Sequence, residues 1–122
     1  MKKIIRGKVR RGDRRGHQLG FPTANINLHQ AISDGVYIAL TKVNNQWHEA
    51  MVMVGTAPTF NRNKRYLEAH LIDFNKNLYG KWISIKLIKR IHPIKKYKTA
   101  SQLKIGLKKY KQEVKKYFNQ KQ

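Results

Sequence analysis

The chain has 122 residues, and its 27 lysines and arginines against 6 aspartates and glutamates give a formal net charge of +21. This length and a hydrophobic content of 40% suit one domain with a single core. The absence of cysteine excludes a disulfide framework, a thiol nucleophile and a cysteine-ligated zinc site. No run approaches the roughly 18 consecutive apolar residues of a transmembrane helix, and no secretory signal follows the charged start. We therefore expect a cytoplasmic protein without membrane contact.

The positive charge is concentrated at the two ends of the chain, in residues 1–15 and 86–122. A field of this strength attracts polyanions such as nucleic acid or nucleotide phosphates. The same composition is also typical of a lysine-rich proteome, in which the lysines only solvate the surface. Because no sequence signature of a common RNA-binding module is present, the charge alone leaves both interpretations open.

The first half of the chain shows short strand patterns separated by turn signals, which favours a barrel or sandwich. The predicted strands are Lys3–Val9, Val36–Val43, Trp47–Val54, Tyr66–Asp73 and Trp82–Ile91. Asn44 and Asn45 predict a tight hairpin turn between the second and third of these strands. Glycine, proline and polar residues predict loops at 10–25, 55–65 and 74–80.

The C-terminal segment changes to the period of an amphipathic helix. Its apolar stripe consists of Leu103, Leu107, Tyr110, Val114 and the pair Tyr117/Phe118. Thr99 followed by Gln102 resembles a capping box at the start of the helix. We expect a single domain over residues 1–122, with a barrel over about 1–98 and a helix over about 100–118 that packs its stripe on the sheet.

One loop, residues 12–25, combines glycines with positive charge and polar side chains. Its glycines allow the backbone N–H groups to approach phosphate oxygens closely, and two arginines and His17 add positive charge. Thr23 and Asn25 are two residues apart, so an extended segment places both on one side, where they suit Mg²⁺ or a phosphate-bound water. An ordinary glycine-rich loop capped by these two residues is an equally good interpretation.

Acidic residues are scarce, so an enzyme that needs a carboxylate base has six candidates. Glu68 stands out because it lies in the middle of a predicted strand, on the face opposite Leu67 and Leu71. The alternative role for Glu68 is a strand-surface residue in an ion pair. The five histidines lack the close spacing of a zinc site.

Five motifs follow one another along the chain: GHQLGFPTAN at 16–25, GVY at 35–37, GTAPTF at 55–60, LEAHLIDF at 67–74 and LYGK at 78–81. In this order they resemble the motifs of riboflavin kinases, and the first resembles the ATP-binding signature of that family. The resemblance covers nearly the whole chain. It implies a six-stranded antiparallel Greek-key β-barrel with a C-terminal α-helix. It also implies a stand-alone counterpart of the kinase module that bacterial members of the family usually carry behind an FMN adenylyltransferase domain.

The resemblance further implies an activity and the residues that perform it. The protein would transfer the γ-phosphate of ATP to the 5′-hydroxyl of riboflavin and so form FMN, with Glu68 as the catalytic base. The residues that would contact ATP are Gly12, His17, Gly20, Pro22, Thr23 and Asn25. Thr23 and Asn25 would also bind Mg²⁺. We expect a monomer that acts on these small molecules, with non-specific nucleic-acid binding as a consequence of the charge.

The segment after the last strand departs from the family pattern. Riboflavin kinases usually show R-x-E-x-x-F here, whereas this chain has HPIKKY at 92–97. The predicted flavin-binding residues are then His92, Lys95 and Tyr97, with Ile94 in place of the glutamate. Exchanging a permanent cation for a partly charged histidine, and losing a carboxylate, should weaken or alter flavin recognition.

A second hypothesis follows from these departures. Gly106 and Tyr110 stand where the family often has Gln and Asp, so the flavin half of the site is altered twice. The chain could then be a catalytically altered flavin- or nucleotide-binding module that binds RNA through its basic surface as a regulator. Steep loss of binding with salt would identify that function.

Overall fold

The computed structural model describes residues 3–10, 20, 22–59 and 62–120, and at 3, 57–59 and 62–64 it describes the backbone alone. The elements in chain order are β1 (Lys3–Lys8), β2 (Ala24–Asn27), β3 (Gly35–Val43), β4 (Gln46–Thr59), β5 (Arg62–Leu71), β6 (Trp82–His92) and α1 (Ala100–Gln120). No helix in these ranges is long and apolar enough to span a membrane.

The six strands form one antiparallel sheet in the order β1-β6-β3-β4-β5-β2. Strands β3, β4 and β5 pair with their neighbours in sequence, and β6 returns to lie beside β3, which is a Greek-key arrangement. The Arg10 amide donates to the Asn25 carbonyl oxygen at 2.7 Å and joins the end of β1 to β2. The sheet is thereby almost closed, which confirms the predicted barrel with a C-terminal helix.

Side-chain alternation along the strands fills the barrel. In β5, Leu67, Ala69 and Leu71 are buried in the barrel interior, as the sequence pattern predicts. Their inward partners from the other strands include Ile5, Ala39, Val52 and Ile85. Glu68 and His70 consequently lie on the outer face of the same strand.

The helix α1 covers part of this outer face with the predicted stripe. Leu107, Tyr110 and Val114 are buried in a second cluster with Val36, Ile38 and Met51 of β3 and β4. The Gln102 amide donates to the Thr99 hydroxyl oxygen at 3.1 Å, and the Gln102 side-chain oxygen accepts from the Lys98 amide at 3.2 Å. The helix therefore begins with the predicted cap, whose return bond reaches one residue further back than in a standard capping box.

The hairpin turn at Asn44 and Asn45 is confirmed, with φ values of 49° and 66° that match a type I′ turn. The predicted loop at 55–65 is wrong. Strand β4 continues to Thr59 and β5 starts at Arg62, with Pro58 opposite Asn63. Beyond Val54 the strand β4 has left β3 and pairs with β5 alone, and such an edge tolerates a proline without an N–H group.

The segment 74–80 contains no strand, as predicted, and the preceding Asp73 occupies the turn with a φ of 54°. The predicted loop at 10–25 includes residues 11–19 and 21, which lie outside the described residues. Its last two residues, Ala24 and Asn25, belong to β2, the strand that residue patterns did not predict.

Candidate active site

A cavity of about 260 Å³ lies between the start of β2 and the segment 74–79. Residues after β1 and the inward side chains at the end of β5 complete its wall. The lining residues are Val9, Arg10, Pro22, Thr23, Ala24, Asn25, Ala69, Leu71, Phe74, Asn75, Lys76, Asn77, Leu78 and Tyr79. Three of the predicted ATP-binding residues, Pro22, Thr23 and Asn25, are therefore brought together at one cavity.

Thr23 and Asn25 give the cavity wall its polar groups. Asn25 is 9% exposed, and its Nδ2 donates to the Thr23 Oγ1 at 3.4 Å. The exposed Arg10, which is fixed by its backbone bond to Asn25, adds a positive charge to the same wall. A hydroxyl, an amide and a guanidinium at one cavity can hold the oxygens of a polyphosphate.

His70 of β5 holds the segment that leads into this polar wall. Its Nδ1 donates to the Pro22 carbonyl oxygen at 2.8 Å, because a carbonyl can only accept. Burial lowers the pKa of His70, with the charge of Lys111 acting in the same direction and the bond to Pro22 opposing them. The imidazole is therefore neutral at neutral pH and ties β5 to the residues before β2. Sequence reasoning missed this role, although the position of His70 two residues after Glu68 places both on one strand face.

Glu68 lies beside Asn25 across the β2–β5 pair. The two residues are direct register partners, and on the other side Glu68 is opposite Met53 of β4. Directly opposite residues have Cβ atoms about 4.5–5.5 Å apart. Glu68 is half-buried and does not line the cavity itself. The candidate base is thus one strand away from the cavity wall, next to the amide that forms part of it.

The far wall of the cavity is anchored on the barrel. Phe74 stacks edge-on against His48 with the ring centres 4.9 Å apart, and Leu78 is buried in the barrel core. The Gly80 amide donates to the Val9 carbonyl oxygen at 2.9 Å. These contacts hold the segment 74–79 opposite β2.

The predicted flavin-binding residues lie elsewhere, against α1. His92 Nε2 is 2.7 Å from Glu113 Oε2, and the His92 ring is 4.7 Å from the ring of Tyr110. The Tyr97 hydroxyl donates to the Tyr110 hydroxyl at 3.0 Å, and Lys95 Nζ lies 5.9 Å from the Tyr97 ring centre. Burial and the contact with Tyr110 raise the pKa of Tyr97 to about 12. None of the three predicted residues lines the cavity.

Gly106 completes this cluster, because it leaves room for Tyr97 on the helix. A Cβ added at Gly106 would lie 2.2 Å from the Tyr97 hydroxyl oxygen and 2.6 Å from its Cζ. The aromatic residue at 97 and the glycine at 106 are therefore one packing arrangement. Sequence spacing did not connect them, and it did not identify Glu113 as the partner of His92.

A magnesium site would have to be built from neutral oxygens. Within the described ranges no three histidine or acidic side chains cluster as metal ligands. The Thr23 hydroxyl and the Asn25 amide are hard ligands of the type that Mg²⁺ accepts when a nucleotide supplies the charged oxygens. These two residues fit such an ion. Gly12 and His17 lie outside the described residues, and Gly20 has a φ of 88° without lining the cavity.

Comparison with known proteins decides the family. The family model for riboflavin kinase matches residues 2–118. The chain belongs to the riboflavin kinase family. The bifunctional riboflavin kinase/FMN adenylyltransferase of Bacillus subtilis is 36% identical over 122 residues, which are 95% of this chain and 39% of that protein. The similarity therefore covers the sequence from β1 to α1.

Two further similarities concern another protein of the riboflavin kinase family and a solved structure. The RNA-binding riboflavin kinase RibR of Bacillus subtilis is 34% identical over 108 residues, 87% of this chain and 47% of RibR. The crystal structure of a macrolide-efflux protein from Streptococcus pneumoniae is similar, with a TM-score of 0.84 and 31% identity, over 92% of this chain and 38% of that one. This riboflavin kinase family chain spans less than half the length of the curated relatives that it matches.

Proposed function

We propose that this protein is an ATP:riboflavin 5′-phosphotransferase that acts as a monomer and forms FMN. The observation that carries the proposal is the register pairing of Glu68 with Asn25, which puts a carboxylate beside the polar wall of the cavity. Membership of the riboflavin kinase family supports the same substrates. ATP would bind with its phosphates at Thr23, Asn25 and Arg10.

The reaction requires little covalent chemistry from the protein. The riboflavin 5′-oxygen forms a bond to the γ-phosphorus, the bond from that phosphorus to the β,γ-bridging oxygen breaks, and ADP leaves. Glu68 accepts the proton of the attacking hydroxyl. A bound Mg²⁺, held by Thr23 and Asn25, would supply charge neutralisation at the phosphates. The remaining contribution is positioning, to which the β2–β5 pairing and the His70–Pro22 bond would contribute.

The direct test is to incubate the protein with riboflavin, ATP and Mg²⁺ and to separate FMN from riboflavin by chromatography. We expect E68Q to lower kcat by roughly 10²–10⁴-fold, because it removes a general base and keeps the shape of the side chain. E49Q is the matched control, since Glu49 is another half-buried strand glutamate, on β4 away from the cavity. Equal turnover by E68Q and the parent would remove Glu68 from the mechanism.

Substitutions in the proposed ATP-binding and flavin-binding halves of the site should change KM for different substrates. T23A should raise KM for ATP–Mg²⁺ with a smaller effect on KM for riboflavin, because Thr23 lies at the cavity wall. H92A should do the opposite, since we place the flavin beside His92, Lys95 and Tyr97. Initial rates measured with each substrate varied in turn give both constants. A change in the ATP constant alone for H92A would contradict this placement.

The alternative function is a catalytically altered module that binds RNA as a regulator. It is favoured by the basic charge of +21 and by the similarity to a relative whose name includes RNA binding. Binding of ATP–Mg²⁺ without formation of FMN would favour this alternative. RNA binding through many phosphate contacts should fall steeply between about 50 and 200 mM salt, whereas turnover should not.

A further inference from the structure

The outer face of β1, β6, β3 and β4 carries an arrangement that the kinase reaction does not use. At the end of the sheet away from α1, cations surround both tryptophans of the chain. This surface, called here the tryptophan face, consists of Arg6, Lys8, Lys42, Trp47, Trp82 and Lys86.

Strand register makes the tryptophan face one continuous patch. Lys42 is opposite Trp47 on one side and Ser84 on the other, and Arg6 pairs with Ser84 from β1. Lys8 is opposite Trp82. These side chains point outwards, because the residues that alternate with them on the strands, such as Ile5, Ile83 and Ile85, are buried in the barrel.

Both indoles are exposed and each has a cation close to its ring. Trp47 is 41% exposed and Trp82 is 58% exposed. Lys86 Nζ and Lys42 Nζ lie 5.1 and 5.7 Å from the Trp47 ring centre, and the Arg6 guanidinium carbon lies 5.3 Å from that of Trp82. The two rings are therefore held at the surface by side chains that can also bind an anion.

The charge on this face is almost entirely positive. Among the described residues of these four strands, Glu49 is the acid on the outer side, two residues from Trp47 on β4 and opposite Leu40. Lysines are also abundant on the exposed side of α1, for example Lys108 and Lys115, but the aromatic residues of this helix pack towards the sheet. Unlike the exposed side of α1, the tryptophan face combines positive charge with exposed, flat apolar rings.

We propose that the tryptophan face binds single-stranded nucleic acid, with bases stacked on Trp47 and Trp82 and phosphates held by the surrounding cations. Proteins that bind single strands without sequence preference combine a basic surface with aromatic side chains on which bases stack. A base that stacks on an indole brings its phosphate within reach of the nearby cation. Base stacking is stronger than the exposed cation–π interaction that it replaces.

The spacing of the two tryptophans suits a short length of strand. Trp47 and Trp82 are separated by two strand spacings and by two residues along the strand, which places their Cα atoms about 12 Å apart. A single mononucleotide does not bridge this distance, whereas a few linked nucleotides do. A bilayer surface fits less well, because Ile4 is the main exposed aliphatic side chain among these cations.

The binding test uses the full chain and a fluorescently labelled oligouridine of 15 nucleotides, with fluorescence anisotropy as the readout. The intrinsic fluorescence of the protein gives a second readout, because the chain has two tryptophans and both lie on this face. We expect saturable binding, quenched tryptophan fluorescence, and weaker binding of an RNA duplex of equal length. ATP–Mg²⁺ in excess should not displace the oligonucleotide.

Three sets of variants separate stacking from charge. W47A/W82A should weaken binding at least about fivefold for each ring, with the dependence on salt unchanged, and W47F/W82F should restore most of the affinity. K42A/K86A should weaken binding and reduce the slope of log K against log salt by about 0.7 for each phosphate that is no longer neutralised. K108A/K115A is the matched control for charge, and it should have a smaller effect. Circular dichroism and the unfolding midpoint verify that each variant is folded.

Four results would overturn the proposal. They are parent-like affinity of W47A/W82A, an equal loss of affinity in K108A/K115A, displacement of the oligonucleotide by ATP–Mg²⁺, and binding to anionic lipid vesicles without binding to the oligonucleotide. Each of these outcomes is independent of FMN formation, so a failure here does not affect the proposed kinase activity.

Discussion

Gly106 lies in the second turn of α1, where alanine ordinarily stabilises a helix by about 0.8–1.0 kcal/mol relative to glycine. Here the added methyl carbon would lie 2.2 Å from the Tyr97 hydroxyl oxygen and 2.9 Å from its Cε1, so the ring has to move. Overpacking of this kind costs about 1–3 kcal/mol. The hydrogen bond from Tyr97 to Tyr110 would break as well, at about 0.5–1.5 kcal/mol.

The sum predicts that G106A lowers the free energy of unfolding by about 0.5–3.7 kcal/mol, although the exchange favours the helix. In a Y97A background the obstacle is gone, and the same substitution should raise the free energy of unfolding by about 1 kcal/mol. The sign of the effect therefore reverses between the two backgrounds. The difference is the coupling energy between residues 97 and 106.

Urea unfolding followed by circular dichroism measures all four proteins of this cycle: the parent, G106A, Y97A and the double variant. Equal m-values are the control that the unfolded states are comparable. If G106A stabilises the parent as much as it stabilises Y97A, Tyr97 does not occupy the space above Gly106, and the packing described for the 92–97 segment is wrong.

Two further expectations concern stability. Burial lowers the pKa of His70 from its ordinary value of 6.5, so below pH 6.5 the unfolded chain binds a proton that the folded imidazole does not. The free energy of unfolding should therefore fall as the pH drops from 6.5 through the lowered pKa, and it should stay level above pH 6.5. Unfolding midpoints across pH should fall less steeply for H70N, which removes the titration and keeps a donor for Pro22, and parallel curves would contradict the assignment. T99A should cost about 0.5–2 kcal/mol, because it removes the oxygen that caps the Gln102 amide, and T99S is the control that keeps this oxygen. An equal loss of stability in T99S would show that the methyl group, not the cap, matters.

Elements with a strong repeating pattern were predictable from the sequence. The period of α1 and the alternation of Leu67, Ala69 and Leu71 each follow from one face being buried and the other not. The strand β2 lacks this pattern, because Ala24, Asn25 and Ile26 are all buried on two faces of a four-residue strand. Its place between β5 and the end of β1 depends on the closure of the barrel, which no local pattern encodes.

The candidate site was predictable in part. Motif resemblance pointed to Thr23, Asn25 and Glu68, and the β2–β5 register makes the last two direct neighbours. The pairing of His92 with Glu113 could not be predicted, because it arises only when the end of β6 and the third and fourth turns of α1 come together. The extension of β4 past Gly55 was missed for a related reason, since an edge strand tolerates residues that elsewhere indicate a loop.

The bridge between Arg10 and Asn25 has a consequence for local opening of the barrel. In the described part of the chain, this bridge is where β1 meets β2, so the seam has far fewer backbone bonds than any other strand pair. Local opening begins where the fewest bonds must break, and amide hydrogen exchange would register it first at this seam. Asn25 also belongs to the cavity wall, so the nucleotide that we propose to bind there would join the two sides of the seam. Nucleotide affinity and the stability of the barrel would then be coupled through one amide-to-carbonyl bond, and each should strengthen the other.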